Sequence, residues 1–171
     1  GDLGVAVKRV LHHDLDSGRI LSAIGEVKLP TGNEEEGFGS GTTIFEPFLV
    51  YGQILPGDAF VHLQGGFELP LESGDAEDEA LLRSAVGKTF TEGRFGRTWS
   101  PMVELLGARE LTSGASVHWD LVPELQVSLN QRQHVRANLG VRLPLDGSDE
   151  VEEVLFYLLW DWFDGGFFEG W

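Results

Sequence analysis

The sequence contains no cysteine, which removes a disulfide scaffold, a thiolate metal site and a cysteine nucleophile together. Cations are scarce: 12 Lys plus Arg stand against 28 Asp plus Glu, for a net charge of −16. Nothing in that balance offsets phosphate repulsion, so it argues against nucleic acid as a partner. No uncharged apolar run approaches the roughly 18 residues that a membrane-spanning helix needs. That absence does not extend to membrane β-barrels, whose spanning strands are short and alternate apolar with polar positions. The chain opens at Gly1 with neither Met nor a signal-peptide pattern, which reads as a processed product or a fragment.

What is present is alternation. The 171 residues suit one domain, and their 23 glycines and 7 prolines are spread along the whole chain, as punctuation between many strands. From Ser116 to Leu129, Val117, Trp119, Leu121, Pro123, Leu125, Val127 and Leu129 share one face. Ser116, His118, Asp120, Val122, Glu124, Gln126 and Ser128 share the other. A helix would scatter both sets, so the period is two. The same pattern covers His134–Leu143, Ala59–Leu69 and Leu21–Leu29, with weaker versions over Leu3–His12, Thr42–Gln53, Leu82–Phe90, Trp99–Ala108 and Val151–Phe163. The expected fold class is all-β, an antiparallel up-and-down meander of about nine strands. Ala76–Leu82 is the one stretch that reads as a short helix.

The connections alternate too. Short ones are expected at Asp14–Gly18, Pro56–Asp58, Glu92–Gly96 and Asn130–Arg132, with Asp164–Gly166 at the end; long ones at Pro30–Gly41, Pro70–Ala80, Arg109–Ala115 and Pro144–Glu150. Short turns at one end and long loops at the other are the asymmetry of outer-membrane barrels. The polar faces carry charge of both signs, and the apolar faces are long enough for strands that cross a bilayer obliquely. Aromatics fall near strand ends, at Phe45, Tyr51, Phe90, Phe95, Trp99, Trp119, Trp160, Trp162, Phe163, Phe167, Phe168 and Trp171, as interfacial girdles do. The reading is a transmembrane β-barrel formed by residues 1–171 and incomplete on the N-terminal side, because a strand count of about nine is odd. Further strands, or another chain, are then expected to complete it. The rival is a soluble β-sandwich or lipocalin-like binding module, which points its apolar face inward.

Under the barrel reading the candidate lumen-lining residues are Glu26, Lys28, Glu46, His62, Glu68, Lys88, Glu104, His118, Asp120, Glu124, Arg136 and Arg142. Pro47, Pro101 and Pro123 lack the ladder donor and are expected at bulges, with Glu46, Glu104 and Glu124 beside or near them. Arginine at Val127 or Leu139 should be costly in lipid, whereas arginine at Gln126 or Asn138 should be tolerated in a lumen. The histidines lack the short ligand spacing of a dedicated metal site, and no serine sits in a nucleophile elbow. The sequence therefore names no catalytic residue, metal or cofactor.

Leu29-Pro30-Thr31-Gly32, followed by Gly39-Ser40-Gly41 and an aromatic-rich strand, resembles the outer-membrane phenol-degradation meta-pathway barrel family. The C-terminal run Trp160 to Gly166 and the final Trp171 also resemble barrel ends that are read during outer-membrane insertion, with Glu169 departing from the usual apolar residue. The resemblance implies a channel or transporter for small, often hydrophobic solutes in the bacterial cell outer membrane, and no catalysis. A structural barrel sheathing a partner is the further alternative. Glu34–Glu36, Glu72, Asp75, Glu77–Glu79, Asp146, Asp149, Glu150, Glu152 and Glu153 form acidic loops. They read as a solvated rim, or as carboxylates bridged by divalent cations to lipopolysaccharide.

Overall fold

β-Branched and aromatic residues at every second position favour an extended backbone, and here they produce little else. The computed structural model describes residues 1–33, 36, 38–72, 77–92, 97–130, 134–145, 147 and 153–160. Its strands are β1 (Leu3–Asp14), β2 (Arg19–Leu29), β3 (Ile44–Leu55), β4 (Ala59–Pro70), β5 (Glu79–Lys88), β6 (Phe90–Glu92), β7 (Arg97–Glu110), β8 (His118–Ser128), β9 (Val135–Pro144) and β10 (Glu153–Trp160). They form one antiparallel meander with the order β1-β2-β3-β4-β5-β7-β8-β9-β10, and β6 pairs with β7. Among the described residues β1 and β10 are the two ends of that order.

The count of ten arises because one strand is interrupted. Only Thr89 separates β5 from β6; its N–H turns aside to Asp58 O at 2.9 Å, and its hydroxyl lies 3.0 Å from that of Ser100. The residue after Ser100 is Pro101, which has no N–H to offer across the sheet. The expected helix at Ala76–Leu82 does not form from Glu79 onward, where β5 has begun; Ala76 lies outside the described residues.

The other prolines do less than expected. Pro47 sits opposite Gly25 in an unbroken β2–β3 register. On either side of Pro123 the β8–β9 register is the same, Leu121 opposite Leu143 and Glu124 opposite Gly140. An antiparallel residue bonds to only one neighbouring strand, so a proline can forfeit that one donor without displacing the chain. The register does shift in β1, between Val10 and His12. At the β3–β4 turn, Gly57 and Asp58 have φ of 76° and 61°, the successive positive values a tight hairpin turn requires.

The chain falls into two compact units, one of Gly1–Gln53, His62–Ser84 and Gly107–His118, the other of Ile54–Val61, Ala85–Leu106 and the chain from Trp119 on. Within each, the buried face is the polar one. The buried apolar side chains among the described residues are Ile44, Ala85, Val122 and Val135. Ser22, Glu46, Thr98, Ser100, Asp120, Ser128, Asn130, His134 and Asn138 are buried with them. On the apolar face, the cross-strand row Leu125, Leu139 and Phe156 of β8, β9 and β10 is 39%, 54% and 69% exposed.

Close packing on the polar face depends on glycine. A Cβ at Gly66 would stand 2.5 Å from Phe48 Cβ and 2.9 Å from Phe48 Cα, and would also strike Pro47 O, whereas one at Gly65 would meet only Leu81 O at 3.9 Å. Gly66→Ala should therefore cost about 1–3 kcal/mol in urea unfolding, the range of an overpacked site, while Gly65→Ala should be nearly neutral. Equal effects of the two substitutions would contradict this packing.

Candidate functional site

Three groups of side chains gather the residues with chemical potential. In the first unit, β2 and β3 place Glu26 directly opposite Glu46. Lys28, two residues along the same face, forms an ion pair with the buried Glu46, and the Glu68 carboxyl of β4 is hydrogen-bonded to Glu46. Glu79 of β5 is close enough to act on Glu68 electrostatically. A cross-strand pair of like charges is unfavourable alone; the ammonium and the shared hydrogen bond make this one tenable.

In the second unit, β8, β9 and β10 build a second network. Arg142 donates from Nε and Nη2 to Asp120 Oδ2 at 2.9 and 2.6 Å, and its Nη1 lies 3.6 Å from Glu153. One step along the sheet, the Asn138 amide donates to Glu124 Oε2 at 2.6 Å and to Tyr157 Oη at 2.9 Å. Gly140 makes room for this: a Cβ there would lie 2.8 Å from Glu124 Cγ. Thr98 adds a link to β8, its N–H donating to Ser128 Oγ at 2.7 Å.

The third group explains the glycine motif. Asp2, just before β1, accepts the N–H of Gly32 at 2.9 Å and both the N–H and the hydroxyl of Ser40 at 2.8 Å. The neighbouring Leu3 N–H donates to Thr31 Oγ1 at 2.9 Å. The backbone crosses itself tightly here, since a Cβ at Gly32 would run into Phe38 O and one at Gly39 would lie 2.9 Å from Asp2 Oδ1. The Leu-Pro-Thr-Gly and Gly-Ser-Gly segments thus form a donor cradle for one carboxylate. The Ser40 N–H first, then the Gly32 N–H and the Ser40 hydroxyl, hold that carboxyl down at about 2 against an ordinary 3.8.

Of the residues expected to line a lumen, Glu26, Lys28, Glu46 and Glu68 are brought together in the first unit, and Asp120, Glu124 and Arg142 share the second network. His62 is exposed beside Gly52, His118 is exposed, and Glu104 and Arg136 are half-buried. Lys88 is a correction. It is exposed and has the parity of Leu82 and Val86 in β5, so the two-residue period puts it on the apolar face, with its Nζ 5.1 Å from the Phe90 ring centroid. Asn138 is a second correction: at 1% exposure it is packed and bonded, leaving no space for arginine. No local pattern points to Asp2 or Tyr157, whose partners are remote in sequence; Ser128 is expected on the polar face, but alternation does not name Thr98 as its partner.

Glu36, Glu72, Glu77 and Asp78 of the acidic loops are exposed, while Glu34, Glu35, Asp75, Asp146, Asp149, Glu150 and Glu152 lie outside the described residues. So do Phe95, Trp162, Phe163, Phe167, Phe168, Trp171 and Glu169, and with them most of the C-terminal run. Among the described residues no three of His, Asp and Glu converge as a metal set. No family model, curated protein or solved structure matches the chain.

Asn138→Leu removes the shared donor of Glu124 and Tyr157 and should cost about 1–3 kcal/mol in urea unfolding, the penalty for stranded buried polar groups; Asn138→Arg should be no milder. Because the folded Asp2 carboxyl ionises below its unfolded value, its clasp contributes fully above about pH 4 and is lost as pH falls toward about 2. A carbon-detected titration of Asp2 should have its midpoint near 2, and Asp2→Ala should speed amide exchange at Gly32 and Ser40. A midpoint at the ordinary value would remove the clasp.

Proposed function

We propose that this chain is part of the wall of a transmembrane β-barrel in the bacterial outer membrane, through which small solutes pass along a polar, mixed-charge face. The observation that carries the reading is the inversion of burial: leucines and phenylalanines are exposed while serine, asparagine and carboxylates are covered. In water that arrangement is unfavourable by roughly 25 cal/mol for each Å² of apolar surface; in lipid it is the arrangement a spanning strand needs. A soluble sandwich or lipocalin-like module would bury Leu125, Leu139 and Phe156, so their exposure favours the membrane reading.

Strand length supports it. β1 to β4 have 12, 11, 12 and 12 residues and β7 has 14, against the 9–11 that a tilted strand uses to cross a bilayer. The exposed acidic loops at Glu36, Glu72, Glu77 and Asp78 lie on the long connections, where divalent cations would bridge them to lipopolysaccharide. An unpaired edge is costly in lipid. The order from β1 to β10 takes an even number of antiparallel steps, so the two end strands run in the same direction. Antiparallel completion of the wall therefore takes an odd number of additional strands, from another chain or from another stretch of the same protein.

Insertion into vesicles should be tested with a matched pair. Leu139→Arg places a charge on the exposed apolar row and should cost about 2–4 kcal/mol of folding into a bilayer, while Gln126→Arg, on the opposite face, should change it little. A compact monomer freely soluble without detergent would overturn the reading. Planar-bilayer conductance separates a solute channel from a closed barrel that sheathes a partner: steps of current support passage, and silence from inserted protein supports the sheath.

A further inference from the structure

Lys88 stands on the opposite face of the sheet from the other charged residues singled out above. Its companions there are Leu82 and Val86 on its own strand and Trp99 and Val103 on β7, all exposed. Its ammonium is not directed sideways. It lies 5.1 Å from the centroid of Phe90, two residues nearer the end of the β5–β6 segment at Glu92. Phe90 is paired across strands with Trp99, so the ammonium ends over one ring of a cross-strand pair of exposed aromatics. That is how a lysine stem stays in hydrocarbon while its charge reaches the headgroup level.

We propose that Lys88, Phe90 and Trp99 seat the phosphate of an anionic phospholipid in the leaflet that meets the short connections. The proposal rests on the transmembrane reading above. Charge complementarity selects the occupant: a chain with net charge −16 repels anionic lipid in general, and a local cation at the aromatic rim reverses that for one headgroup. Phe90 and Trp99 supply flat apolar surface for the glycerol and the first methylenes, and the ammonium meets the phosphate oxygens.

The test uses tryptophan fluorescence in phosphatidylcholine vesicles containing brominated phosphatidylcholine or, in a parallel set, brominated phosphatidylglycerol. The expected result is quenching by both, with the phosphatidylglycerol preferred about fivefold at low salt, the factor one lysine near a lipid surface contributes. Lys88→Gln should bring that preference to about one, and Lys88→Arg should keep it. If Lys88→Gln does not insert, Lys88→Met, which keeps the apolar stem, is read in its place. Equal quenching by the two lipids in the unsubstituted protein, or a preference that survives loss of the charge, overturns the proposal and leaves the transmembrane reading standing. Quenching by neither lipid removes both. A dimer in detergent that Lys88→Gln dissociates would assign this face to a second copy instead, and would also overturn it.

Discussion

The structure depends on keeping a polar face buried. Each carboxylate, amide or hydroxyl removed from water needs a partner in the sheet, because an unmet buried polar group costs about 1–3 kcal/mol. Neighbouring strands supply these partners on the same face, directly opposite as Tyr157 is to Asn138 or two residues along the ladder. Lys28 reaches Glu46, Arg142 reaches Asp120, and Asn138 serves both Glu124 and Tyr157. The register of the ladder is therefore fixed by polar pairing as much as by the apolar rows. A slip of one residue would expose the amides and bury Leu125 and Leu139 in their place.

The demand for close approach explains the small residues better than flexibility does. Gly66 lies against Phe48, Gly87 against Phe60 and Met102, and Gly140 against Glu124, each with too little room for a methyl group. In all three cases the polar face is filled by a larger side chain on the adjacent strand. The glycines allow bulky groups such as Phe48, Phe60 and Glu124 to lie across the neighbouring backbone. The covered face thus takes an aromatic ring at one place, Phe60 against Gly87, and a carboxylate stem at another, Glu124 against Gly140.

What could be read from the residues followed the range of the interaction. Alternation is local, so β8 and β9 were legible almost residue by residue, and the separation of Leu139 from Asn138 onto opposite faces was legible with them. Lys88 carries a charge that suits a lumen, yet Leu82 and Val86 of the same expected strand share its parity, and the alternation outweighs the charge. The prolines misled for a different reason: a missing donor is a property of one residue, but whether it displaces the chain depends on which neighbour that residue faced. Asp2 was invisible, since its partners lie 30 and 38 residues away. The Leu-Pro-Thr-Gly and Gly-Ser-Gly segments stand out as a pattern, and only the fold connects them to the carboxylate they hold.

The acidity of the chain sharpens the same constraint. With 28 carboxylates and 12 strong cations, most carboxylates cannot have a cation of their own, so those taken into the sheet must share. Glu46 does so with the Lys28 ammonium on one side and the Glu68 carboxyl on the other, while Glu26 stands opposite it across the ladder. Removing Lys28 would leave the buried Glu46 carboxyl beside Glu26 and Glu68 with no cation among those named. Asp120 differs, because Arg142 holds it from two nitrogens and needs no help from a second acid. The two networks bury similar groups by opposite means. The first is sensitive to the loss of a single ammonium, and the second is held by the geometry of a guanidinium that does not release its charge.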